Sequence, residues 1–169
     1  MFGDEDALAV TMAKDECNTL AQENLTSCRD EALKARIVAF MTGCADYVVS
    51  HLGKESEGKR PLTICCYSWL GLNASSILEP MVWLYRLTGK KSYLDFATYI
   101  VEEGGTDVVN IFRLAYENQL RLYQYPVTKA YEMTSCFEGL LEYYRIVGEE
   151  WHKTAIINYA ERILADDFT

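Results

Sequence analysis

Two charged side chains, Lys129 and Glu132, stand three residues apart at the start of a predicted helix and lie off its apolar stripe. Residues at positions i and i+3 share one side of a helix, so an ammonium and a carboxylate there can hydrogen-bond the hydroxyl groups of one ligand. The simpler interpretation is an ion pair on a solvated face, which stabilises a helix by roughly 0.2–0.5 kcal/mol. Ser135, further along the same helix, is a weaker candidate.

Four further side chains are candidates for ligand binding. An internal repeat with an offset of 59 residues, described below, makes Asn73 the equivalent of Glu132 (132 − 59 = 73). Asn73 and nearby Ser75 can hydrogen-bond a ligand, although cap or turn roles also suit both residues. Trp69 is a candidate platform for ring stacking, with packing as the favoured alternative. Tyr125 precedes the helix on a loop, where binding residues are common.

The spacing of the remaining reactive residues reveals no catalytic or metal-binding set. Glu79 and Glu138 are related by the repeat, which favours structural roles for both. Neither histidine stands near a cysteine, and no Cys-x-x-Cys pair occurs. The adjacent pair Cys65-Cys66 suits a thiolate metal site, but buried thiols acting as small apolar residues are the favoured interpretation. We therefore expect no metal site in this chain and assign no catalytic residue.

Helices must position these residues, and one helical hairpin occurs at least twice. Residues 76–89 and 135–148 match at the offset of 59, and each copy ends in Tyr-Arg-x-x-Gly. A fixed period of this size indicates a supersecondary unit that buries its apolar face by stacking on its neighbours. We predict an all-α fold in a single domain or fragment, 1–169. Its three hairpins are expected at about 5–52, 68–103 and 126–165, with a connecting segment at 104–125 that contains a short helix near 107–118.

Within the first hairpin, the apolar spacing predicts an amphipathic helix from Asp30 to Leu52 with one buried stripe. The predicted stripe consists of Leu33, Ile37, Phe40, Met41, Cys44, Tyr47 and Val48.

Prolines mark the leading helices of the other two hairpins. Pro80 either kinks a helix that runs over 68–88 or lies in a helix that starts late, with Ser76 and Glu79 as a capping box. The repeat favours the kinked helix. Pro126 suits the first turn of the third leading helix.

Composition and charge exclude several classes of function. The chain has 169 residues, of which half are hydrophobic, and carries a net charge of −9. An acidic surface repels phosphate backbones and anionic lipids, so we expect neither nucleic-acid nor membrane binding. No apolar run is long enough to span a bilayer. The acidic start shows no export signal, and either a cytoplasmic or a periplasmic location is compatible with the sequence.

Four segments resemble the helical domain of the β-L-arabinofuranosidase-like glycoside hydrolases, family 127 and its uncharacterised relatives. The segments are SSILEPMVWLYRLTG (75–89), YLDFA (93–97), NIF (110–112) and YPVTKAYEM (125–133). The resemblance covers residues 30–169. It implies an (α/α)6 toroid, in which six hairpins form a double ring around a central active site, and this chain supplies about half of that ring.

The resemblance also implies a retaining mechanism, in which a zinc-bound cysteine thiolate attacks the anomeric carbon and a glutamate acts as general acid/base. In the family these residues follow the region where this chain ends, and neither Cys65-Cys66 nor Cys136 stands at the nucleophile's place. We therefore expect a piece of a larger glycoside hydrolase domain that is inactive alone. Zinc is expected in the full-length protein only, and the unpaired apolar face of the half ring is expected to drive self-association.

Within such a ring, inner helices point side chains at a carbohydrate in the central pocket, which gives the candidate residues their predicted role. In family members with known activity a His and an Arg stand near the two positions occupied here by Lys129 and Glu132. The resemblance therefore does not carry over the arabinofuranose specificity, and the sugar and its linkage stay open.

Two other functions remain open. A non-enzymatic helical repeat module that binds a protein or peptide is one alternative, although such modules usually have shorter periods than 59 residues. Another toroid hydrolase, lyase or sugar epimerase is the second. Binding of a sugar or of a peptide separates the first alternative from a glycosidase, and zinc in the full-length protein separates the second.

Overall fold

The computed structural model describes residues 5–11, 25, 28–65 and 68–167, and these residues form an all-α fold, as predicted. Residues 5–11 are helical, and β-structure in the described part of the chain is limited to two isolated bridges. The eight named helices are α1 (Glu31–His51), α2 (Leu62–Cys65), α3 (Leu72–Ser75), α4 (Leu78–Thr88), α5 (Lys91–Glu103), α6 (Ile111–Glu117), α7 (Ala130–Val147) and α8 (Glu150–Arg162). Short 3₁₀ turns occur at Glu55–Glu57 and Leu122–Gln124, and a π turn follows α8 at Ile163–Asp167.

Helix α1 begins where the sequence predicts, because the Asp30 carboxylate accepts hydrogen bonds from the backbone N–H groups of Ala32 and Leu33. Its buried side chains are Met41, Ala45 and Val48. The prediction that Leu33 and Phe40 are buried was wrong, since these side chains are 42% and 45% exposed. Leu33 and Phe40 therefore lie outside the buried side of α1, which packs against α5. Most of the predicted helix before α1 lies outside the described residues.

The repeat is visible in the structure as two matching hairpins. Helix α5 covers Lys91–Glu103 and helix α8 covers Glu150–Arg162, so both bounds differ by 59 (150 − 91 and 162 − 103). Gly89 ends α4 and Gly148 ends α7, each in the left-handed conformation, with φ of 70° and 77°. Glycine adopts this conformation without the steric cost that a Cβ atom brings.

The leading helix of the second hairpin starts late, and the predicted kinked helix over 68–88 was wrong. Pro80 is the third residue of α4, where its missing N–H breaks no intrahelical hydrogen bond. The capping-box alternative is not formed either, because α4 has no side-chain cap. The Ser76 hydroxyl instead donates to the backbone oxygen of Asn73 at 2.7 Å. Before α3 the chain turns through Trp69 and Leu70, which both have positive φ.

Two leading helices lie side by side, and the trailing helices pack on their outer side. Helix α4 packs against both α5 and α7, α7 packs against α8, and α1 packs against α5. Gly139 of α7 allows a close approach to α4, because a Cβ atom added there would lie 2.8 Å from the backbone nitrogen of Glu79. This double layer of helical hairpins is that of an α/α toroid fragment.

The connecting segment folds back onto the hairpins. Its short helix α6 is capped by Asn110, whose side-chain oxygen accepts from the backbone N–H of Arg113 at 2.9 Å. Helix α6 packs against α8. Helix α7 starts at Ala130, so the prediction of Pro126 in its first turn was wrong, and Lys129 is the N-cap residue. Within the described ranges, each helix is too short or too polar to cross a lipid bilayer.

Candidate functional site

The start of α7 meets the turn around α3, and this contact brings two of the predicted site residues together. The Asn73 side-chain amide donates to Glu132 Oε1 at 3.3 Å. These residues occupy equivalent positions of the repeat, 59 residues apart. The contact therefore joins two neighbouring hairpins through the same position in each.

Glu132 is a buried carboxylate that the protein satisfies only in part. Its side chain is 6% exposed, and its Oε2 atom is buried without a hydrogen-bond partner among the described residues. A buried carboxylate oxygen that receives no hydrogen bond destabilises the folded protein, typically by about 1–3 kcal/mol or more. Such an unsatisfied acceptor in a native fold points to a donor supplied from outside the protein, either a ligand or an ordered water.

Lys129 and Trp69 form the second contact between the same two segments. The Lys129 ammonium lies over the Trp69 indole, with Nζ 5.1 Å from the ring centroid, a cation–π arrangement. Trp69 is 52% exposed, so its ring has surface open to a ligand, and the packing role stays a prediction. Among the described residues Lys129 makes no ion pair with Glu132, although the two stand three residues apart. The cation and the carboxylate therefore have separate partners and are both held in place.

Ser75 and Tyr125, the two remaining predicted site residues, point into the protein. Ser75 is 1% exposed, and its hydroxyl donates to the backbone oxygen of Gly71 at 3.3 Å. Tyr125 is 5% exposed, and this burial raises the pKa of its phenol to about 12. The weaker candidate Ser135 is 9% exposed on α7.

The structure thus assembles four of the six predicted side chains into what we call the helix-start cluster, namely Trp69, Asn73, Lys129 and Glu132. Beneath it, the Cys136 thiol lies 3.7 Å from the backbone oxygen of Leu72. The Cys136 side chain has no exposed surface, which agrees with the expectation that its thiol is buried.

An apolar cleft of about 420 Å³ lies beside the start of α7. Sequence reasoning missed this cleft, because it forms only where residues 122–134 pack against Tyr159 and Ile163. Tyr123 was the one signal available, since it precedes the helix on a loop, and its ring is 64% exposed. The walls are formed by Leu122, Tyr123, Thr128, Ala130, Met133, Thr134, Tyr159 and Ile163.

Zinc, which the resemblance implies for the full-length protein, finds no ligand set among these residues. Over 5–11, 25, 28–65 and 68–167, no three His, Cys, Asp or Glu side chains come close enough to bind one metal ion. We therefore derive no step through a metal from this structure.

A model of the family described as the beta-L-arabinofuranosidase, GH127 catalytic domain matches residues 22–166. The matched region contains both hairpins, the connecting segment and all four residues of the helix-start cluster. No curated protein and no solved structure matches the chain.

Proposed function

Because the chain belongs to the GH127 β-L-arabinofuranosidase catalytic-domain family, we propose that its helix-start cluster binds the sugar of a glycoside substrate. The chain is part of a glycoside hydrolase-like catalytic domain, and carbohydrate is the substrate class that this family suggests. The observation that carries the proposal is the Oε2 atom of Glu132, a buried acceptor without a donor.

Sugar hydroxyls supply what the cluster lacks. A hydroxyl group donates one hydrogen bond and accepts others, so one sugar can donate to Glu132 Oε2 and accept from the Lys129 ammonium. The exposed indole of Trp69 offers an apolar surface for the carbon–hydrogen face of the ring. A peptide backbone also offers an N–H donor and a carbonyl acceptor, so the choice of a sugar rests on the family and on the exposed Trp69 ring.

The four residues then have distinct roles in the proposal. Glu132 accepts from a sugar hydroxyl, and Asn73 holds the Glu132 carboxylate in position through its amide. Lys129 donates to a second hydroxyl, and its stacking on Trp69 limits the conformations of both long side chains. All four are binding or positioning residues, and none is assigned a catalytic step.

The catalytic glutamate and the zinc–cysteine centre implied by the resemblance belong, in this proposal, to residues after Thr169. This part of the proposal rests on the resemblance to the family. A zinc titration of the protein with and without its continuation tests this part separately from sugar binding. Stoichiometric zinc bound by residues 1–169 alone contradicts it.

Sugar binding is tested by titrating the chain with L-arabinose and with methyl glycosides while following the Trp69 indole N–H resonance. Glu132→Gln keeps the size of the side chain but replaces one acceptor oxygen with a donor group, so we expect affinity to fall by about tenfold or more, which is about 1.4 kcal/mol. Glu138→Gln on the same helix is the matched control, because Glu138 is exposed.

Equal affinity of Glu132→Gln and the unmodified chain contradicts the assignment of Glu132. A Trp69 response to peptides but not to sugars favours the helical binding module instead.

A further inference from the structure

One position of the repeat is filled differently in the two hairpins. Tyr93 in α5 and His152 in α8 are equivalent (93 + 59 = 152), and both lie near the start of a trailing helix. Both side chains are almost completely buried, Tyr93 with no exposed surface and His152 with 2%. They therefore face the same kind of environment with side chains of different length.

In the earlier hairpin the tyrosine fills its space and satisfies its polar group. The Tyr93 hydroxyl lies 2.6 Å from Asp46 Oδ1 and 3.3 Å from the backbone oxygen of Thr42, both on α1. The phenol thus reaches across to the preceding long helix and hydrogen-bonds there.

In the later hairpin the shorter imidazole leaves a polar atom without a partner. Burial holds the pKa of His152 below its usual range, so the ring is neutral at pH 7 and has one donor and one acceptor nitrogen. Its Nε2 lies 3.9 Å from the Glu149 carboxylate, which favours the proton on that nitrogen. Nδ1 is then an acceptor, and no described residue hydrogen-bonds it.

Next to the imidazole lies a cleft of about 270 Å³, which we call the outer cleft. This volume is well above what a single water needs, so the outer cleft has room for more than one bridging water. Its walls are formed by Thr98, Val101, Glu102, Asn110, Arg113, Tyr143, Glu149, Trp151 and His152.

The walls of the outer cleft offer both donors and acceptors around an aromatic surface. The Arg113 guanidinium lies 3.6 Å from the centroid of the Trp151 ring and has no carboxylate partner among the described residues, so its N–H groups are available to a ligand. The Glu149 carboxylate accepts from the Trp151 indole N–H at 2.7 Å and has further acceptor capacity. Nδ1 of His152 is the buried acceptor.

From this arrangement we propose that the outer cleft is a second ligand site, separate from the helix-start cluster, that binds a small neutral polyhydroxylated molecule such as a monosaccharide. A hydroxyl group donates to an imidazole nitrogen or a carboxylate and accepts from a guanidinium, so one class of group satisfies all three side chains. An anionic ligand is attracted by Arg113 but repelled by the Glu149 carboxylate. A cationic ligand is attracted by Glu149 but repelled by Arg113.

The test follows the Trp151 indole N–H resonance during titration of the whole chain with D-glucose and L-arabinose. We expect this resonance to shift in the unmodified protein, with millimolar affinity. His152→Tyr introduces the residue of the earlier hairpin, whose phenol fills the space, and we expect this variant to lose the response. Arg113→Ala, a change at an exposed residue, should weaken binding by about tenfold. Arg36→Ala on α1 is the control and should bind as the unmodified chain does.

Several outcomes overturn the proposal. One is a Trp151 resonance that does not move at about 100 mM sugar, well above the millimolar range expected for a single small ligand. A response to glycine and not to sugars means that the cleft binds a zwitterion and not a neutral polyhydroxylated molecule. Unchanged binding by Arg113→Ala refutes the site even if His152→Tyr does not fold. The Trp69 resonance reports on the helix-start cluster, so the failure of one site is distinguishable from the failure of the other.

Discussion

The crossing of α4 and α7 holds the helix-start cluster together, and Gly139→Ala tests how close that crossing is. An alanine Cβ at this position would lie 2.8 Å from the Glu79 backbone nitrogen and 2.8 Å from both Cβ and Cγ of Leu78. Contacts this short require a shift, and a backbone atom of a packed helix cannot move without moving the helix. We expect α4 and α7 to separate slightly, with a loss of stability.

The magnitude follows from two opposing effects. Overpacking a well-packed core costs about 1–3 kcal/mol, and the contact with backbone places this case in the upper part of that range. Replacement of glycine by alanine inside a helix stabilises it by about 1 kcal/mol. We therefore expect Gly139→Ala to lower the free energy of unfolding by about 1–2 kcal/mol.

Gly43→Ala is the matched control. Gly43 also lies inside a helix, α1, but an added Cβ would meet no atom within 4 Å, so only the gain in helix propensity applies. The two variants should differ by about 2–3 kcal/mol in urea unfolding. For a chain of this size, about 2–4 °C per kcal/mol converts the difference to about 4–12 °C in Tm.

Equal stability of Gly139→Ala and Gly43→Ala would refute a close crossing of α4 and α7. That result means that α4 and α7 lie farther apart in solution than they do in the structure. In the same variant, the Trp69 indole N–H resonance reports whether the cluster moves when the helices separate.

Three further predictions concern hydrogen bonding and titration. Asn73→Asp places a second carboxylate opposite that of Glu132 and should lower the free energy of unfolding by about 1–3 kcal/mol, as measured in urea. The double variant with Glu132→Gln restores a donor and should recover most of this stability. No recovery in the double variant contradicts the contact. Burial raises the pKa of Tyr99 and of Tyr125 to about 12, so the folded state keeps protons that the unfolded state loses near 10, and stability should fall as pH rises from 10 towards 12; phenolate absorbance checks this, and a double Tyr→Phe variant with as many late-titrating phenols as the unmodified protein counts against the assignment. The pKa of His152 lies below 6.5 because of burial, so protons bind the unfolded state first and stability should fall as pH drops below 6.5; an NMR titration of its ring that gives a pKa at or above 6.5 disproves this.

Much of the fold was predictable because it depends on local chemistry. The Asp30 cap, the glycines that end α4 and α7, and the apolar spacing of the long helices act within one or two turns of chain. The offset of 59 residues is a property of the sequence and reappears as equal bounds of α5 and α8. The likeness to the GH127 family was readable for the same reason, since the repeated hairpin motifs carry it.

Other features were predicted wrongly because local patterns compete. Ser76 and Glu79 match a capping box in spacing, yet the Ser76 hydroxyl donates to the backbone oxygen of Asn73 instead. Leu33 and Phe40 match the helical period, yet both are exposed, because the width of a buried stripe depends on how many neighbours the helix has.

The sequence by itself determined the helices, the repeat, the family and the residue types available for binding. Only the tertiary structure decided that Glu132 is buried beside Asn73, that Lys129 stacks on Trp69, and that His152 lines a cleft with Arg113 and Glu149. The physical reason is one of range. Caps and periodicity arise between residues a few positions apart, whereas burial and pairing across 59 residues depend on how closely two helices cross, which no local pattern encodes.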